Sequence, residues 1–579
     1  MLKTKIVKRI TISLALLAAS VATSLGQRAH IASELESVDP SAHVNVIVQF
    51  RRPLTSAHHQ IVRDLGGIVR SPLNSIGGGA YAVPGSAISN LALNPEVASI
   101  APDRPLHMLL DNTTAAVNGP AAWNAGWDGS GIGVAVIDSG ISEHTDLQGD
   151  NGSRVVYRES FIAGNGTDGF GHGEHVAGIL AGNGAASNCA NCTRHLIGLA
   201  RKANLIDLQV LDSNGQGTDS AVIAAIDRAI QLKAQFNIRV INLSLGRPVY
   251  ESYLLDPLCQ AVESAWRAGI VVVTAAGNGG RDNPVGNNGY GTITAPGNDP
   301  YVITVGAMKS LGTPQRSDDL IASYSSKGPT QVDHIVKPDL VAPGNLVVSL
   351  LSSDATLPKA FPNNVVPVGY YQQTTATSPS ASYFTMSGTS MAAPVVSGAA
   401  ALLLQAHPEL TPDQLKSRLM RTAYKTFPKT STAHDPTTGQ SYTSEYDVFT
   451  VGAGYLDIQA ALADTSTPRS SALSPVATYT QNLVSTVLGL VGLNKATINC
   501  DATTVCAPPS LLGEQSIWGT QSIWGTQAIG SDQSIWGDQS IWGTQSIWGT
   551  QSIWGTQSVS ATATTDPVEG KKIVTTGEQ

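Results

Sequence analysis

Stretches of almost continuous apolar residues alternate with amphipathic stretches between about residues 112 and 466. Uninterrupted apolar runs are typical of parallel strands that are covered on both faces. The runs are residues 132–137, 204–210, 239–245, 270–276 and 301–305. Residues 220–235 and 257–268 carry apolar side chains three and four positions apart, which predicts helices. The alternation predicts an α/β domain with a doubly wound, mainly parallel sheet, whose site forms at the carboxyl ends of the strands.

A second unit with a different pattern precedes this domain, over residues 27–107. Its predicted strands and helices follow the order βαββαβ, which indicates a small α+β sandwich of the ferredoxin-like type. Three of the four strands of this order are placed, at residues 44–50, 78–83 and 97–101, and the helices are expected at 55–65 and 86–93.

The first 26 residues have the pattern of a secretory signal peptide. Lys3, Lys5, Lys8 and Arg9 form a basic start, and an apolar stretch of 13 residues follows at 10–22. A membrane-spanning helix needs about 20 apolar residues, so this stretch is too short for an anchor. Small residues then offer cleavage sites after Ala22 or Gly26. We therefore expect a secreted protein.

Composition narrows the class of protein further. The chain has 579 residues, too many for one ordinary core, and 42% of them are hydrophobic, as in globular proteins. Its formal net charge is −8 and it has no long basic run, which argues against a nucleic-acid partner. Disulfides are allowed in an exported protein. Cys189 and Cys192 could form one local bridge and Cys500 and Cys506 another, with Cys259 left over on a helix that buries it.

The last part of the chain changes character after about residue 466. Residues 467–513 are rich in Ser, Thr and Ala and read as a linker; residues 514–558 hold Gln-Ser-Ile-Trp-Gly-Thr repeats, and residues 559–579 form a polar tail. A period of six places Ile and Trp on opposite faces of a strand, so the units could stack as a small β-solenoid, and exposed Trp could contact carbohydrate, peptide or a cell surface. The alternative is a low-complexity tail, which we favour because such short units bury little area.

Three short motifs supply an acid, a base and a nucleophile in the chain order Asp, His, Ser. Asp138 follows an apolar run in Asp-Ser-Gly, His172 opens His-Gly-Glu-His-Val-Ala-Gly, and Ser390 stands in Gly-Thr-Ser-Met-Ala-Ala-Pro. This order is one of several in which the same hydrolytic geometry recurs. Ser390 also lies at the start of a predicted helix, where free N–H groups favour a developing negative charge. A lone Ser there would be read as a helix cap.

With these motifs the chain resembles the subtilisin-like serine proteases, the subtilases, over residues 112–466. The resemblance implies that Ser390 is the nucleophile, that His172 rather than His175 is the general base, and that Asp138 orients the base. Glu174 departs from the family, which usually has Thr at that position. The resemblance also implies that residues 27–107 are an inhibitor-type propeptide, removed by a cut between residues 103 and 112.

The same resemblance assigns further site residues. Asn278 is expected to donate its side-chain amide to the oxyanion, together with the backbone N–H of Ser390. The strand end at 244–246 is expected to pair with an extended substrate backbone, and residues 275–277 are expected to contact the substrate as well. The substrate-binding residues are Ser244, Leu245, Gly246, Ala275, Ala276 and Gly277. No cofactor is expected for the chemistry; structural calcium is implied by the resemblance alone, and no metal ligand is named.

The predicted function is therefore that of a secreted serine endopeptidase that processes itself and acts on protein or peptide substrates through an acyl-enzyme. Its own propeptide is expected to be an inhibitory partner. Two alternatives stay open. One is a catalytically inactive surface-binding or adhesive protein that uses the Trp repeat, and the other is a processing protease of narrow specificity.

Overall fold

The structure is a computed structural model, and it divides the chain into two compact units, Met1–Met108 and Leu109–Gln579. It describes residues 29–32, 35, 38–40, 42–102, 112–283, 287–374, 377–435, 438–466, 471–480, 495–499 and 577–578. The predicted signal peptide, most of the predicted cleavage region, the Trp repeat, Cys500 and Cys506 lie outside these residues.

In its described residues, the first unit is a five-stranded sheet with two helices. In chain order its elements are β1 His30–Ile31, β2 His43–Phe50, α1 Ser56–Asp64, β3 Ile68–Leu73, β4 Gly78–Pro84, α2 Gly85–Leu93 and β5 Val97–Pro102. The sheet order is β1-β5-β2-β4-β3, with β2 antiparallel to both of its neighbours. Val46 and Val48 of β2 are fully buried and alternate with less buried residues, as expected for a sheet with one covered face. The order β2-α1-β3-β4-α2-β5 is the predicted βαββαβ.

Strand β3 has no counterpart among the segments expected from the sequence. None of its residues is buried, and it contains Arg70, Ser71 and Pro72. It lies at the edge of the sheet and pairs with β4 alone, where Pro and polar residues are tolerated. An edge strand of this kind lacks the apolar alternation by which a strand is recognised.

The second unit is built on an eight-stranded sheet. Seven of its strands have the order β14-β13-β12-β11-β6-β10-β9, and β15 also pairs with β13. All pairings are parallel except that of β14 with β13. The strands are β6 Gly133–Asp138, β9 Val155–Ser160, β10 Asn204–Gln209, β11 Ile238–Leu243, β12 Val271–Ala275, β13 Ile303–Lys309, β14 Leu320–Ile321 and β15 Leu340–Pro343. The predicted α/β class with a mainly parallel sheet is confirmed.

Smaller sheets lie around this core. One of them has three strands in the order β16-β18-β17. The other three are two-stranded antiparallel hairpins, β7–β8, β19–β20 and β21–β22. Their bounds are β7 Gln148–Gly149, β8 Gly152–Ser153, β16 Val347–Leu350, β17 Val365–Pro367, β18 Pro379–Met386, β19 Thr430–His434, β20 Ser441–Glu445, β21 Val476–Thr480 and β22 Lys495–Asn499. The segment that precedes Ser390 therefore contributes β17 and β18 to one of these sheets.

The helices of this unit begin and end at residues that the sequence marks. The helix over Asp219–Phe236 starts after Thr218, whose hydroxyl accepts the Ala221 N–H at 3.3 Å, and ends at Asn237 in the left-handed region. The helices are α3 Asn112–Ala116, α4 Gly119–Asn124, α5 His172–Ala181, α6 Asp219–Phe236, α7 Pro257–Arg267, α8 Thr356–Ala360, α9 Thr389–Ala406, α10 Pro412–Thr422, α11 Val448–Val451 and α12 Ile458–Ala463.

Helix α9 is the central helix of the unit and packs against α5 and against strands β11, β12 and β13. It is long and apolar enough to cross a membrane by length and composition, but 83% of it is buried inside the protein. Its small residues, among them Ala392, Ala393 and Gly398, permit this close packing. The helix therefore holds Ser390, its second residue, firmly against the sheet.

The structure also settles two cysteine predictions. Cys189 and Cys192 form a disulfide, and Cys259 is a free thiol buried in α7. The Cys259 Sγ donates to the Asn298 side chain, and burial raises the pKa of the thiol. Cys259 is therefore an inert core residue.

Candidate active site

The candidate residues gather at the carboxyl edge of the central strands. Asp138 is the last residue of β6, Ser244 follows β11, and Asn278 lies beyond the end of β12. These three strands are neighbours in parallel register, with Asn242 opposite both Val136 and Val273. The sheet therefore brings to one edge residues that are far apart in the sequence.

Asp138 and His172 are in direct contact. Asp138 is fully buried, and its Oδ1 lies 2.7 Å from His172 Nδ1 and accepts the Ser139 N–H at 2.8 Å. His172 is the first residue of α5, and Gly171 before it has a φ of +102°, which favours glycine. This contact fixes the orientation of the ring, and among the described residues the other ring nitrogen, Nε2, has no hydrogen-bond partner.

The charge of Asp138 acts on the protonation of His172. Burial of the ring opposes protonation, but the charge and hydrogen bond of Asp138, with a smaller contribution from Asp168, outweigh burial and raise the pKa of His172. An imidazolium formed during a reaction would therefore be stabilised at this position.

His175 has a different environment from His172. It is completely buried, and its Nε2 lies 3.0 Å from the carbonyl oxygen of Phe384 and 3.1 Å from that of Val347. Burial, together with the nearby His172, lowers the pKa of His175 to about 3. His175 is therefore a neutral donor that connects α5 to β16 and β18.

Ser390 is held by Ser244 through a reciprocal pair of hydrogen bonds. The Ser390 hydroxyl donates to the Ser244 carbonyl oxygen at 3.1 Å, and the Ser244 hydroxyl donates to the Ser390 carbonyl oxygen at 2.8 Å. Among the described residues, no hydrogen bond joins Ser390 to His172. Hydrogen bonds of this kind often form only in the complex with a substrate.

Asn278 has one end of its amide fixed and the other end available. Its Oδ1 accepts the Thr389 N–H at 3.0 Å and the Thr389 hydroxyl at 3.1 Å, and the same hydroxyl accepts the Gly277 N–H at 3.1 Å. These contacts orient the amide nitrogen, Nδ2, as a donor next to the turn at Gly388, where an added Cβ would lie 3.3 Å from it. A preorganised donor beside a nucleophile is what an oxyanion requires.

The two predicted substrate-binding segments differ in exposure. Gly246 is exposed and Leu245 is half-buried, next to an antiparallel bridge between Arg247 and Ala295. Ala275 and Ala276 are buried. The Ala276 N–H donates to the Val305 carbonyl and its own carbonyl accepts the Thr294 N–H, while the Gly277 carbonyl accepts the Ser326 N–H. The first segment is thus the more accessible one, and the substrate-binding assignment of both stays a prediction.

A group of buried acids lies beside the pair of Asp138 and His172, and the sequence analysis identified only Glu174 among them. Asp168 accepts the Gly171 N–H at 2.7 Å, the Glu174 N–H at 2.8 Å and the Ser139 hydroxyl at 2.8 Å. It therefore holds the turn that leads into α5. The signal in the sequence is Asp-Gly-Phe-Gly at residues 168–171, just before the helix, because Asp side chains often accept the free N–H groups at a helix start.

Glu174 and Asp207 complete this group. Glu174 Oε2 accepts the Ser142 N–H at 2.5 Å, and the Arg158 guanidinium lies 3.0 Å from Asp207. Burial, and next the charge of Asp168, raise the pKa of Glu174 well above its ordinary value. Burial also raises the pKa of Asp207 well above its ordinary value, despite Arg158. These side chains therefore hold protons at pH values where an exposed carboxyl group would not.

Structural calcium is implied by the resemblance alone, and no ligand set is assigned to it. Nowhere among the described residues do three or more His, Cys, Asp or Glu side chains come together in a way that could hold a metal ion. No step of the chemistry is assigned to a metal.

Comparison with known proteins places the chain in a family. Residues 129–454, more than half of the chain, match the model of the subtilase family. The chain is 37% identical to the serine protease AprX of Bacillus subtilis (strain 168) over 349 residues, which are 59% of this chain and 72% of that protein. It is 32% identical to subtilisin E of the same organism over 391 residues, or 66% of this chain and 86% of the relative. Subtilisin DY of Bacillus licheniformis is 36% identical over 299 residues, or 52% and 85% of the two chains.

Proposed function

The chain belongs to the subtilase family of serine endopeptidases, and from that premise we propose that it is a secreted enzyme that cleaves peptide bonds through Ser390, His172 and Asp138. The observation that carries this proposal is the 2.7 Å contact between Asp138 and His172, at the same sheet edge where Ser244 holds Ser390.

The first step is attack by Ser390 on the peptide carbonyl carbon. The Ser390 hydroxyl leaves the Ser244 carbonyl and transfers its proton to His172 Nε2, while its oxygen forms a bond to the carbon. Asp138 accepts from His172 Nδ1 and stabilises the imidazolium. The raised pKa of His172 has the correct sign for this role.

The negative charge that develops on the substrate oxygen needs donors that are already in place. Asn278 Nδ2 is one, because Thr389 fixes its amide from the other side. The Ser390 N–H is the second, because the N–H groups in the first turn of a helix have no partner within the helix. His172 then returns the proton to the leaving amine, and water hydrolyses the acyl-enzyme by the same sequence of transfers.

The remaining parts of the proposal concern maturation and location. Residues 1–26 direct export, and residues 27–107 form an inhibitor-type propeptide that the enzyme removes from itself. The compact first unit, with its own sheet and buried core, is consistent with a segment that folds as a separate body. The resemblance of residues 27–107 to the inhibitor-type propeptides of subtilases supports their role as an inhibitor of the catalytic unit.

Replacement of the nucleophile tests the proposal. The Ser390→Ala variant should be inert toward peptide substrates and should keep its propeptide when expressed as the full chain. Ser466→Ala is the matched control, because it removes an exposed hydroxyl of the same unit that lies outside the candidate site, and it should be processed. Normal processing and activity of the Ser390→Ala variant would contradict the assignment.

A fluorophosphonate probe separates the enzyme from the alternative of an inactive binder. The mature wild-type protein should be labelled at Ser390, and the Ser390→Ala variant should not. Absence of label on mature wild-type protein would favour a binding function for the Trp repeat.

A further inference from the structure

Residues Gly577 and Glu578, at the far end of the chain from the catalytic motifs, lie in a buried pocket of the second unit. Glu578 is only 3% exposed. Its Oε1 accepts from Lys309 Nζ at 2.6 Å, and its Oε2 accepts the Ser323 N–H at 2.8 Å and the Ser323 hydroxyl at 2.5 Å. The Arg281 guanidinium lies 3.2 Å from the same oxygen. Both carboxylate oxygens are thus satisfied by charged or polar donors.

The pocket also recognises the peptide backbone. The Asn345 side chain donates to the Glu578 carbonyl oxygen at 2.6 Å and accepts the Glu578 N–H at 2.8 Å. Gly577 has a φ of +61°, and a Cβ at this position would lie 2.5 Å from Ser387 Oγ and 2.6 Å from Leu346 Cδ2. The contacts therefore select a glycine followed by a glutamate.

The two cations of the pocket, Lys309 and Arg281, have the Glu578 carboxylate as a shared acceptor. Lys309, on β13, is only 4% exposed, and in the described part of the chain its ammonium finds its acceptor in Glu578. Arg281 has a second carboxylate at longer range, 3.8 Å away on Asp435. A buried ammonium without an acceptor is strongly destabilising. Burial alone would raise the pKa of Glu578, but Lys309 and the Ser323 donors outweigh it, so the pKa lies below its ordinary value.

We propose that the catalytic unit contains a receptor pocket for a Gly-Glu segment of its own chain, and that Gly577–Glu578 docks there in the mature protein. The other end of the preceding segment is also attached to this unit. Hairpin β21–β22 joins it through hydrogen bonds from Val336 to Pro475 at 2.8 Å and from Ala477 to His334 at 2.9 Å. Described segments on both sides of the Trp repeat, 475–477 and 577–578, therefore bind the catalytic unit, and cleavage at one site within the repeat would leave each piece attached.

A matched pair of charge-neutralising variants tests the docking, in the full chain with Ser390→Ala to prevent self-digestion. Glu578→Gln keeps the shape of the side chain and removes the anion that faces Lys309. It should lower the Tm of the second unit by roughly 5–10 °C. Glu569→Gln, a substitution at a Glu outside the described residues, should leave the Tm unchanged.

A double variant isolates the ion pair. Lys309→Met combined with Glu578→Gln should recover at least half of the Tm loss of Glu578→Gln, because an apolar side chain replaces the unpaired cation. Equal Tm values for Glu578→Gln and Glu569→Gln would overturn the proposal.

A cysteine pair gives an independent measurement of proximity. Gly577→Cys with Ser387→Cys should form a disulfide within one chain, detected by mass spectrometry of a non-reduced digest, whereas Gly570→Cys with Ser387→Cys should not. A missing bond between positions 387 and 577, or one between two chains, would overturn the proposal. So would a mature secreted protein that lacks residues 577–578. The Tm and disulfide measurements require no protease activity, so they stand apart from the test of the triad.

Discussion

The oxyanion donor offers the sharpest test of the catalytic geometry. In the Asn278→Ala variant the Nδ2 donor is lost, and Thr389 also loses the acceptor for its N–H and hydroxyl. The first loss acts on the transition state, since the oxyanion exists only there. The second loss acts on the folded enzyme before any substrate binds. Kinetics and stability therefore report two different consequences of one substitution.

The expected kinetic effect is a fall in kcat of about 100- to 1000-fold, equivalent to about 3–4 kcal/mol, a magnitude measured for this donor in a subtilisin, a member of the same family. KM should change little, because the interaction is made in the transition state rather than with the bound substrate. The unpaired Thr389 groups should cost about 1–3 kcal/mol of stability.

Thr389→Val is the matched control. It keeps the Nδ2 donor but removes one of the two hydrogen bonds that hold the Asn278 amide, so kcat should fall only about five- to tenfold, which corresponds to roughly 1 kcal/mol. Initial rates on a chromogenic peptide give kcat and KM for each variant, and thermal unfolding gives the stability. The reasoning is refuted if Asn278→Ala lowers kcat less than tenfold, or raises KM while leaving kcat intact.

Three further predictions concern protons. Asp138→Asn removes the charge that holds the pKa of His172 high, so kcat should fall by about 10⁴-fold and the acidic limb of the pH–rate profile should move to lower pH; an unmoved limb would contradict the assignment. Glu174 has a raised pKa, so wild-type stability should decline as pH rises from the ordinary Glu value toward the raised one, and Glu174→Gln should abolish that decline in denaturant titrations at several pH values. A variant with an unaltered decline would exclude Glu174 as its source. Glu578 has a lowered pKa, so its contribution to stability should be complete above the ordinary pKa of Glu and disappear as pH falls through the lowered pKa. The difference in Tm between wild type and Glu578→Gln should therefore shrink in acid. A difference that persists in acid would refute a lowered pKa for Glu578.

The buried strands could be predicted from the sequence because burial on both faces leaves little choice of residue. Strand β12 was expected at 270–276 and spans Val271–Ala275, and helix α7 was expected at 257–268 and spans Pro257–Arg267. Edge strand β3 could not be predicted, because an exposed edge imposes no apolar pattern. A strand can therefore be recognised from the sequence where burial restricts its residues to apolar ones.

The same reasoning applies to the candidate site residues. Asp138, His172 and Ser390 stand in motifs of small residues, since glycines and alanines are needed for the chain to turn and pack closely there. Asp168 carries a weaker signal, a single cap before a helix. Glu578 carries none, because its partners Lys309, Ser323 and Asn345 come from distant parts of the chain and become neighbours only in the fold.

The hydrogen bond between the Ser390 hydroxyl and the Ser244 carbonyl affects the state of the nucleophile before a substrate binds. The same carbonyl belongs to the segment proposed to pair with an extended peptide, so an arriving backbone N–H competes with the serine for one acceptor. Displacement of the Ser390 hydroxyl from this carbonyl frees it to turn toward the His172 ring. Binding of an extended peptide is thereby coupled to activation of the nucleophile.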